Sequence, residues 1–275
     1  MRTVTPGLEL RLTYIGGPTA LLDLGGVRLL TDPTFDRAGT EYPTPVYVLH
    51  KVQGPAIDPE TIGGIDVVLL SHDHHFDNLD HAGRRALASA GRTLTTAAGA
   101  ERLGGTAVGL AQWQSLDVPA SGGRTLRITA TPARHGPAGG DRGPVIGFVL
   151  AFTDDPTSAV YVSGDTVWYE GIAEVARRFT PTVALLFAGA ARVREVGPAH
   201  LTLTAAEMVV AAAVFADAVI VPLHFEGWAH FSEARADIER AFAAAGLAHR
   251  LCWPPPGKRL TLPETPPPPA RAGHA

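Results

Sequence analysis

The chain has 275 residues, is 45% hydrophobic and 18% charged, and carries a formal net charge of −4. That length and apolar fraction provide for a substantial core and exclude an intrinsically disordered chain. The mild acidity, with Lys and Arg scattered rather than clustered, leaves no electrostatic footprint for nucleic acid or an anionic membrane.

From the N-terminus, residues 8–12 alternate apolar and polar and lead into Thr13-Tyr14-Ile15-Gly16-Gly17, a strand followed by a glycine turn. Residues 19–24 and 27–31 flank Gly25-Gly26 and predict a β-hairpin. The second strand runs into Asp32-Pro33, where the carboxylate can turn inward to support a site. Residues 34–63 form a long Pro- and Gly-containing connection carrying Tyr42, Tyr47, His50 and Lys51. A connection of that length suits a wall or lid over a site, or a surface insertion.

Residues 66–70 are a β-branched, apolar run that predicts a buried strand ending at Ser71. His72, His74, His75 and Asp77 follow at once, with Asp80 close behind. Imidazole and carboxylate are ligands of zinc and similar divalent ions. His72 and His74, one residue apart on extended chain, can point the same way and grip one ion. Leu79, Ala82, Ala86 and Leu87 recur at helical spacing, which predicts a helix from Asp77 or Asn78 to about residue 90.

Further strands are expected at 93–96, 107–110, 115–118 and 125–131, with a short helix at 98–103. The 125–131 strand ends in Pro132-Ala133-Arg134-His135-Gly136. Beyond a loop at 136–143, strands at 145–152 and 159–162 lead to Ser163-Gly164-Asp165-Thr166. A helix at 172–179 and a buried strand at 183–187 precede a Gly/Pro-containing loop that carries His200. Thr204 caps an Ala-rich helix over 204–214, with Glu207 completing a capping box. A buried strand at 218–223 ends in His224, followed by Trp228, His230 and Phe231. Ser232 is expected to cap a last helix to 245. Residues 1–262 are expected to form one domain, and the proline-rich tail, 263–275, to be disordered.

One cysteine, Cys252, excludes an intrachain disulfide and suits a reducing compartment. The N-terminus has no apolar signal core, and the longest apolar stretch, 208–223, is interrupted by Asp217 and too short to span a bilayer. The expectation is a cytoplasmic protein whose partner is a small molecule, not a membrane or nucleic acid.

Four predicted strands thus stop at a potential ligand: His72 with its neighbours, His135, Asp165 and His224. Loops just past strand ends, held by a rigid sheet, are where α/β proteins place their chemistry. The order His-x-His…Asp, then Arg-His-Gly, Ser-Gly-Asp-Thr and Pro-Leu-His, resembles the metallo-β-lactamase fold superfamily. Leu-Thr-Tyr-Ile-Gly-Gly and Leu-Leu-Thr-Asp-Pro-Thr-Phe near the N-terminus are similar too. The nearest likeness is to the bacterial branch around ascorbate-phosphate lactonase and N-acyl-phosphatidylethanolamine phospholipase D, over roughly residues 8–250.

The resemblance implies an α/β chain folded as a four-layer αββα sandwich, with metals in a cleft at one edge of two sheets. It implies that His72, His74 and His135 hold a first ion, and that Asp165 bridges to a second held by His224 and Asp77. The usual motif, His-x-His-x-Asp-His, here gains one residue and ends in Asn78 instead of His. Aligned on Asp-Asn-Leu-Asp, Asp77 takes the family aspartate's place; aligned from His72 without a gap, Asp77 falls on the second histidine. Asn suits harder ions than zinc, so one zinc ion, two, or manganese in its place fit this pattern. His75 is expected to pack or meet solvent rather than substitute as a ligand.

A bound divalent ion lowers the pKa of its water from 15.7 to roughly 7. The expected activity is a metal-dependent hydrolase in which metal-bound hydroxide attacks a small ester, lactone or phosphodiester. Asp77 would orient the water and accept its proton, and His230 or His200 would protonate the leaving group. Two other readings stand beside it: a nucleotide or nucleic-acid phosphodiesterase, and a non-catalytic metal-binding or sensing protein. Substrate specificity is assigned to the loops at 34–63, 136–143 and 189–203.

Overall fold

The two apolar runs around Gly25-Gly26 form the expected hairpin. Leu10–Gly16 (β1), Thr19–Leu24 (β2) and Val27–Thr31 (β3) are successive antiparallel neighbours, with Leu24 opposite Val27 across the turn. Gly25 and Gly26 have φ of 59° and 79°, which the two-residue turn requires and a Cβ would resist. The computed structural model describes residues 8–139 and 142–262. The tail expected to be disordered from Pro263 lies outside the described residues, as do Gly140 and Asp141 of the 136–143 loop.

The 34–63 connection contains a small antiparallel hairpin, Glu41–Pro43 (β4) and Val48–His50 (β5). Val67–Leu69 (β6), helix His81–Ala86 (α1), Arg92–Thr95 (β7), helix Ala97–Leu103 (α2) and Ala107–Gly109 (β8) follow. Then come Ser115–Pro119 (β9), Thr125–Pro132 (β10), Ile146–Phe152 (β11) and Asp155–Val162 (β12). Helix Glu170–Arg178 (α3), Pro181–Phe187 (β13), helix Ala205–Val214 (α4), Val219–Leu223 (β14), helix Arg235–Ala244 (α5) and Arg259–Leu262 (β15) complete the order.

Among the described residues, one sheet runs β15-β1-β2-β3-β6-β7-β8 and the other β14-β13-β12-β11-β10-β9. Each is partly antiparallel and partly parallel: β3, β6, β7 and β8 run together, as do β12, β13 and β14. The period-two pattern of the strands builds the layers. Leu29, Val67 and Leu69 point between the sheets and meet Leu126, Phe148 and Leu185 of the other sheet. Leu30, Val68 and Leu70 point the opposite way, toward Leu79 and Leu87 beside α1. β6 is therefore buried on both faces, which is why its sequence is apolar throughout. On the far side of the second sheet, Tyr161, Leu186 and Ile220 pack against Ile172 of α3, Met208 of α4 and Ile238 of α5. The result is the four-layer αββα arrangement.

Two helix starts differ from expectation. α1 begins at His81, not at 77 or 78, because Asp80 is its N-cap and accepts from Gly83 N at 2.7 Å. Residues 74–79 are taken up by a non-helical turn that carries the site. α5 begins at Arg235, because the Ser232 hydroxyl donates to Ala190 O at 2.6 Å instead of capping. The Thr204–Glu207 capping box forms as expected, with both reciprocal hydrogen bonds present.

Candidate metal centre

The parallel strands β3 and β6 deliver Asp32 and Ser71-His72 to one end of the first sheet. In the second sheet β10, β12 and β14 all run in one direction and stop just before His135, Asp165 and His224. These ends meet at one edge of the sandwich. Ile146 N donates to Ser71 O at 3.1 Å across the gap, and His224 N donates to Gly17 O at 2.8 Å.

His72 is held by a short relay. The Ser71 hydroxyl donates to Asp32 Oδ2 at 2.8 Å and lies 2.9 Å from His72 Nδ1. With its hydrogen committed to Asp32, it can only accept from the imidazole, so His72 Nε2 is left with its lone pair. Asp32 also accepts from Ser71 N at 2.6 Å, the inward support role the sequence suggested. Burial pushes its carboxyl up to about 7, against the pull of those Ser71 hydrogen bonds.

The same reasoning settles two more rings. His135 Nδ1 lies 2.9 Å from the carbonyl of Leu201, which can only accept, so in the neutral ring His135 Nε2 keeps its lone pair. His74 Nε2 lies 2.9 Å from the carbonyl of Arg142, which frees His74 Nδ1. His75 turns inward, contrary to expectation: its Nδ1 lies 2.9 Å from His72 Nε2 and 3.2 Å from His135 Nε2. The turn that delays α1 aims this ring at its neighbours. These three facing nitrogens share at most the single hydrogen that His75 Nδ1 can carry, so at least one pair of lone pairs is opposed. A shared cation removes that conflict.

The carboxylates form a second group. Asp77, Asp165 and His224 offer atoms within 4.8 Å of one another, as do His72, His135 and Asp165. Asp165 joins the two, with Oδ2 3.5 Å from His135 Nε2 and Oδ1 3.4 Å from His224 Nε2. His224 Nε2 is also 3.5 Å from Asp77 Oδ2, and Asp165 Oδ2 and both His224 nitrogens are buried without a hydrogen-bond partner. His224 has φ of 55°, a left-handed conformation that a residue with a Cβ rarely adopts and that tends to mark functional loops.

Charge states follow from burial and neighbours. Burial and the adjacent His75 hold the His72 imidazole well below its usual range, and burial with His135 holds His75 at about 3. Burial alone would raise Asp77 and Asp165; for Asp77 the adjacent His224 and His230 outweigh it, and for Asp165 the charges of His224 and His135 do. His224 is the exception: burial would lower it, but Asp165 and Asp77 raise it to about 10, so it carries a proton that a divalent ion would displace to reach the neutral-imidazole, ionised-carboxylate state in which these side chains bind metal. The residues present therefore fit a metal.

A family profile described as the beta-lactamase superfamily domain matches residues 27–225. The chain belongs to the beta-lactamase superfamily. A metal-dependent hydrolase of the UPF0173 group from Aeropyrum pernix is 26% identical over 230 residues, covering 78% of this chain and 82% of that protein. Among solved structures, an isothiocyanate hydrolase from Delia radicum gut bacteria superposes with a TM-score of 0.76 at 22% identity, over 91% of this chain and 98% of that one. A possible metal-dependent hydrolase from Veillonella parvula gives 0.78 at 19% identity, over 92% and 99%. At those identities the solved structures show a shared fold. Superfamily membership together with the donor set makes this chain a metal-dependent hydrolase.

As a member of the beta-lactamase superfamily the chain departs from its motif at Asn78. That side chain donates to Asp165 Oδ1 at 3.2 Å and to Asp32 Oδ2 at 3.3 Å, so it steadies a carboxylate of each sheet. His230, singled out from sequence, reaches the site: its Nε2 lies 3.0 Å from Asp77 Oδ2. His200 does not; its Nε2 faces Glu207 Oε1 at 3.3 Å, beside the start of α4. Trp228 is 3% exposed and packs with Tyr42 and Leu49. The role of Lys51 went unseen in the sequence, where one lysine in a long loop carries no signal. Its Nζ lies 2.7 Å from Asp80 Oδ2 and 5.2 Å from the centre of the Trp228 ring.

Proposed function

We propose that this chain hydrolyses a small ester, lactone or phosphodiester in the cytoplasm, using zinc or manganese. His72, His74 and His135 would hold one ion, and Asp77 and His224 a second, with Asp165 facing both. The observation that carries this reading is the overlap of three donor groups, His72 with His74 and His75, His72 with His135 and Asp165, and Asp77 with Asp165 and His224, each with its atoms within 4.8 Å of one another. When bound, the ion supplies Lewis acidity, which lowers the pKa of water and polarises a carbonyl or phosphoryl oxygen.

The chain's own groups then position and move protons. Asp77 is buried, ionised and 3.0 Å from His230 Nε2, so it can orient a water through Oδ1 while Oδ2 holds the imidazole. His230 is 11% exposed at its side chain, enough to pass a proton between Asp77 and a leaving group at the cleft. His200, tied to Glu207, takes no part in this scheme. Asn78 keeps Asp165 and Asp32 from repelling each other by donating to both.

The test is metal content by mass spectrometry together with hydrolysis of lactone, p-nitrophenyl ester and bis-p-nitrophenyl phosphate panels. Turnover should vanish with a chelator, return with zinc or manganese, and be lost in His72→Ala. Turnover that survives His72→Ala would overturn the metal mechanism, and tight metal binding without turnover on any panel would leave a metal-binding or sensing role.

A further inference from the structure

A cavity of about 360 Å3 opens directly beside the first cluster, with His74 and His75 in its wall. Its opposite wall is the β4–β5 hairpin and Phe76. Val46 at the hairpin tip is 61% exposed, Leu49 and Phe76 line the interior, and this side offers no charge. The remaining boundary is Arg142, and no carboxylate is among the described lining residues.

Arg142 is held in place by the two ligand histidines themselves. Its backbone N donates to His135 O at 2.7 Å, and its carbonyl accepts from His74 Nε2 at 2.9 Å. Its guanidinium and the Tyr47 hydroxyl line the same cavity; burial and Asp77 raise the Tyr47 pKa, and Arg142 pulls it down against them. Tyr47 in turn packs against the cluster of Tyr42, Leu49 and Trp228 on one side and that of Ala191, Val193 and Leu201 on the other, so the hairpin and the 189–203 loop both fix it. A guanidinium is a rigid fork suited to a carboxylate or phosphate, and burying it against apolar wall is favourable when an anion meets it.

We propose that this cavity selects a substrate carrying an anionic group on an apolar body, the anion held by Arg142 and Tyr47 and the apolar part lying against Val46, Leu49 and Phe76. The assignment rests on the hydrolase reading, since it sets the scissile bond beside His74 and His75. Small neutral esters of the same length would bind without the charge-assisted contact.

The experiment compares p-nitrophenyl hexanoate with mono-p-nitrophenyl adipate on the zinc-loaded protein, and follows octanoate against 1-octanol by calorimetry. The wild type should favour the anionic ester in kcat/KM by about tenfold or more, the size of one charge-assisted hydrogen bond. Arg142→Gln should abolish that ratio and the octanoate preference, and Tyr47→Phe should reduce both. Arg127→Gln, which removes an exposed arginine paired with Asp117 at 2.8 Å, should leave the ratio unchanged. Equal kcat/KM for the two esters in the wild type, or a ratio that survives Arg142→Gln, overturns the anion site while leaving the hydrolase reading intact. If octanoate binds and Arg142→Gln releases it while neither ester nor any lactone or phosphodiester of the panels turns over, the pocket stands and the hydrolase reading fails. Failure of octanoate to bind the wild type overturns the pocket whatever the turnover.

Discussion

Lys51 Nζ lies 2.7 Å from Asp80 Oδ2, with the two side chains 3% and 0% exposed. The same carboxylate caps α1 through Gly83 N and accepts from Asp36 N at 2.7 Å. One buried pair therefore ties the 34–63 segment to the turn that carries His72–Asp77. Burial lowers the Lys51 pKa, while Asp80 and Asp36 pull it back up. Lys51→Met would strand the Asp80 charge and should cost about 3–5 kcal/mol, measured by urea unfolding. Lys51→Met with Asp80→Asn should cost less than the single change. A loss below about 1 kcal/mol in the single variant would mean the pair is not buried as described.

Gly164, just past β12, sits against Ser71 at the end of β6. A Cβ there would stand 2.6 Å from Ile146 O and 2.8 Å from Ser71 Cβ, and its φ is 60°. Gly164→Ala should lose about 2–5 kcal/mol, combining left-handed strain with overpacking. Because Asp165 and His72 are pushed apart, zinc affinity should drop about tenfold or more. Unchanged affinity by competitive chelator titration would separate the Gly164 contact from the metal groups.

Chelation should destabilise the protein as well as silence it. The facing lone pairs of His72 and His135 and the unpartnered Asp165 Oδ2 are satisfied together only with a cation present. At a free metal concentration of 100 Kd the stabilisation is about 2.7 kcal/mol. Calorimetry should show Tm rising with added zinc or manganese and falling with dipicolinate. A Tm indifferent to both would count against the centre.

Asp73, between His72 and His74, accepts from Arg102 Nε at 2.9 Å. Burial alone would raise its carboxyl, but the hydrogen bonds and charge of Arg102 hold it below the usual range. A depressed folded pKa means stability that is present above the unfolded value, about 3.9, and lost as pH falls through the folded one. Arg102 is half exposed, so after solvent screening Arg102→Gln should cost about 1–2 kcal/mol at pH 7. The difference between wild type and variant should shrink below pH of about 4. A gap that stays constant down to pH of about 2 would contradict this pairing.

Several parts of the fold are local enough to be legible in the chain. The turn at Gly25-Gly26, the two-faced apolar run of β6 and the Thr204–Glu207 box each depend on a few adjacent residues. The donors at strand ends, His72, His135, Asp165 and His224, are legible for the same reason: each directly follows an apolar stretch with strand periodicity. His75, Lys51 and Arg142 are not. The direction of His75 depends on a turn that postpones α1, and Lys51 finds its partner 29 residues away. His200 and His230 are equally loop-borne in sequence, and only their distances to Glu207 and Asp77 tell them apart.

By itself the sequence determined which segments become strands and which chemical groups wait at their tips, because side-chain alternation and turn chemistry act over neighbouring residues. Only the tertiary structure decided that the two sheets close so as to bring His72, His135, Asp165 and His224 together, and that His75 and His230 join them. That outcome depends on long-range packing, such as the Ser71–Ile146 hydrogen bond and the Lys51–Asp80 pair, which no local pattern encodes.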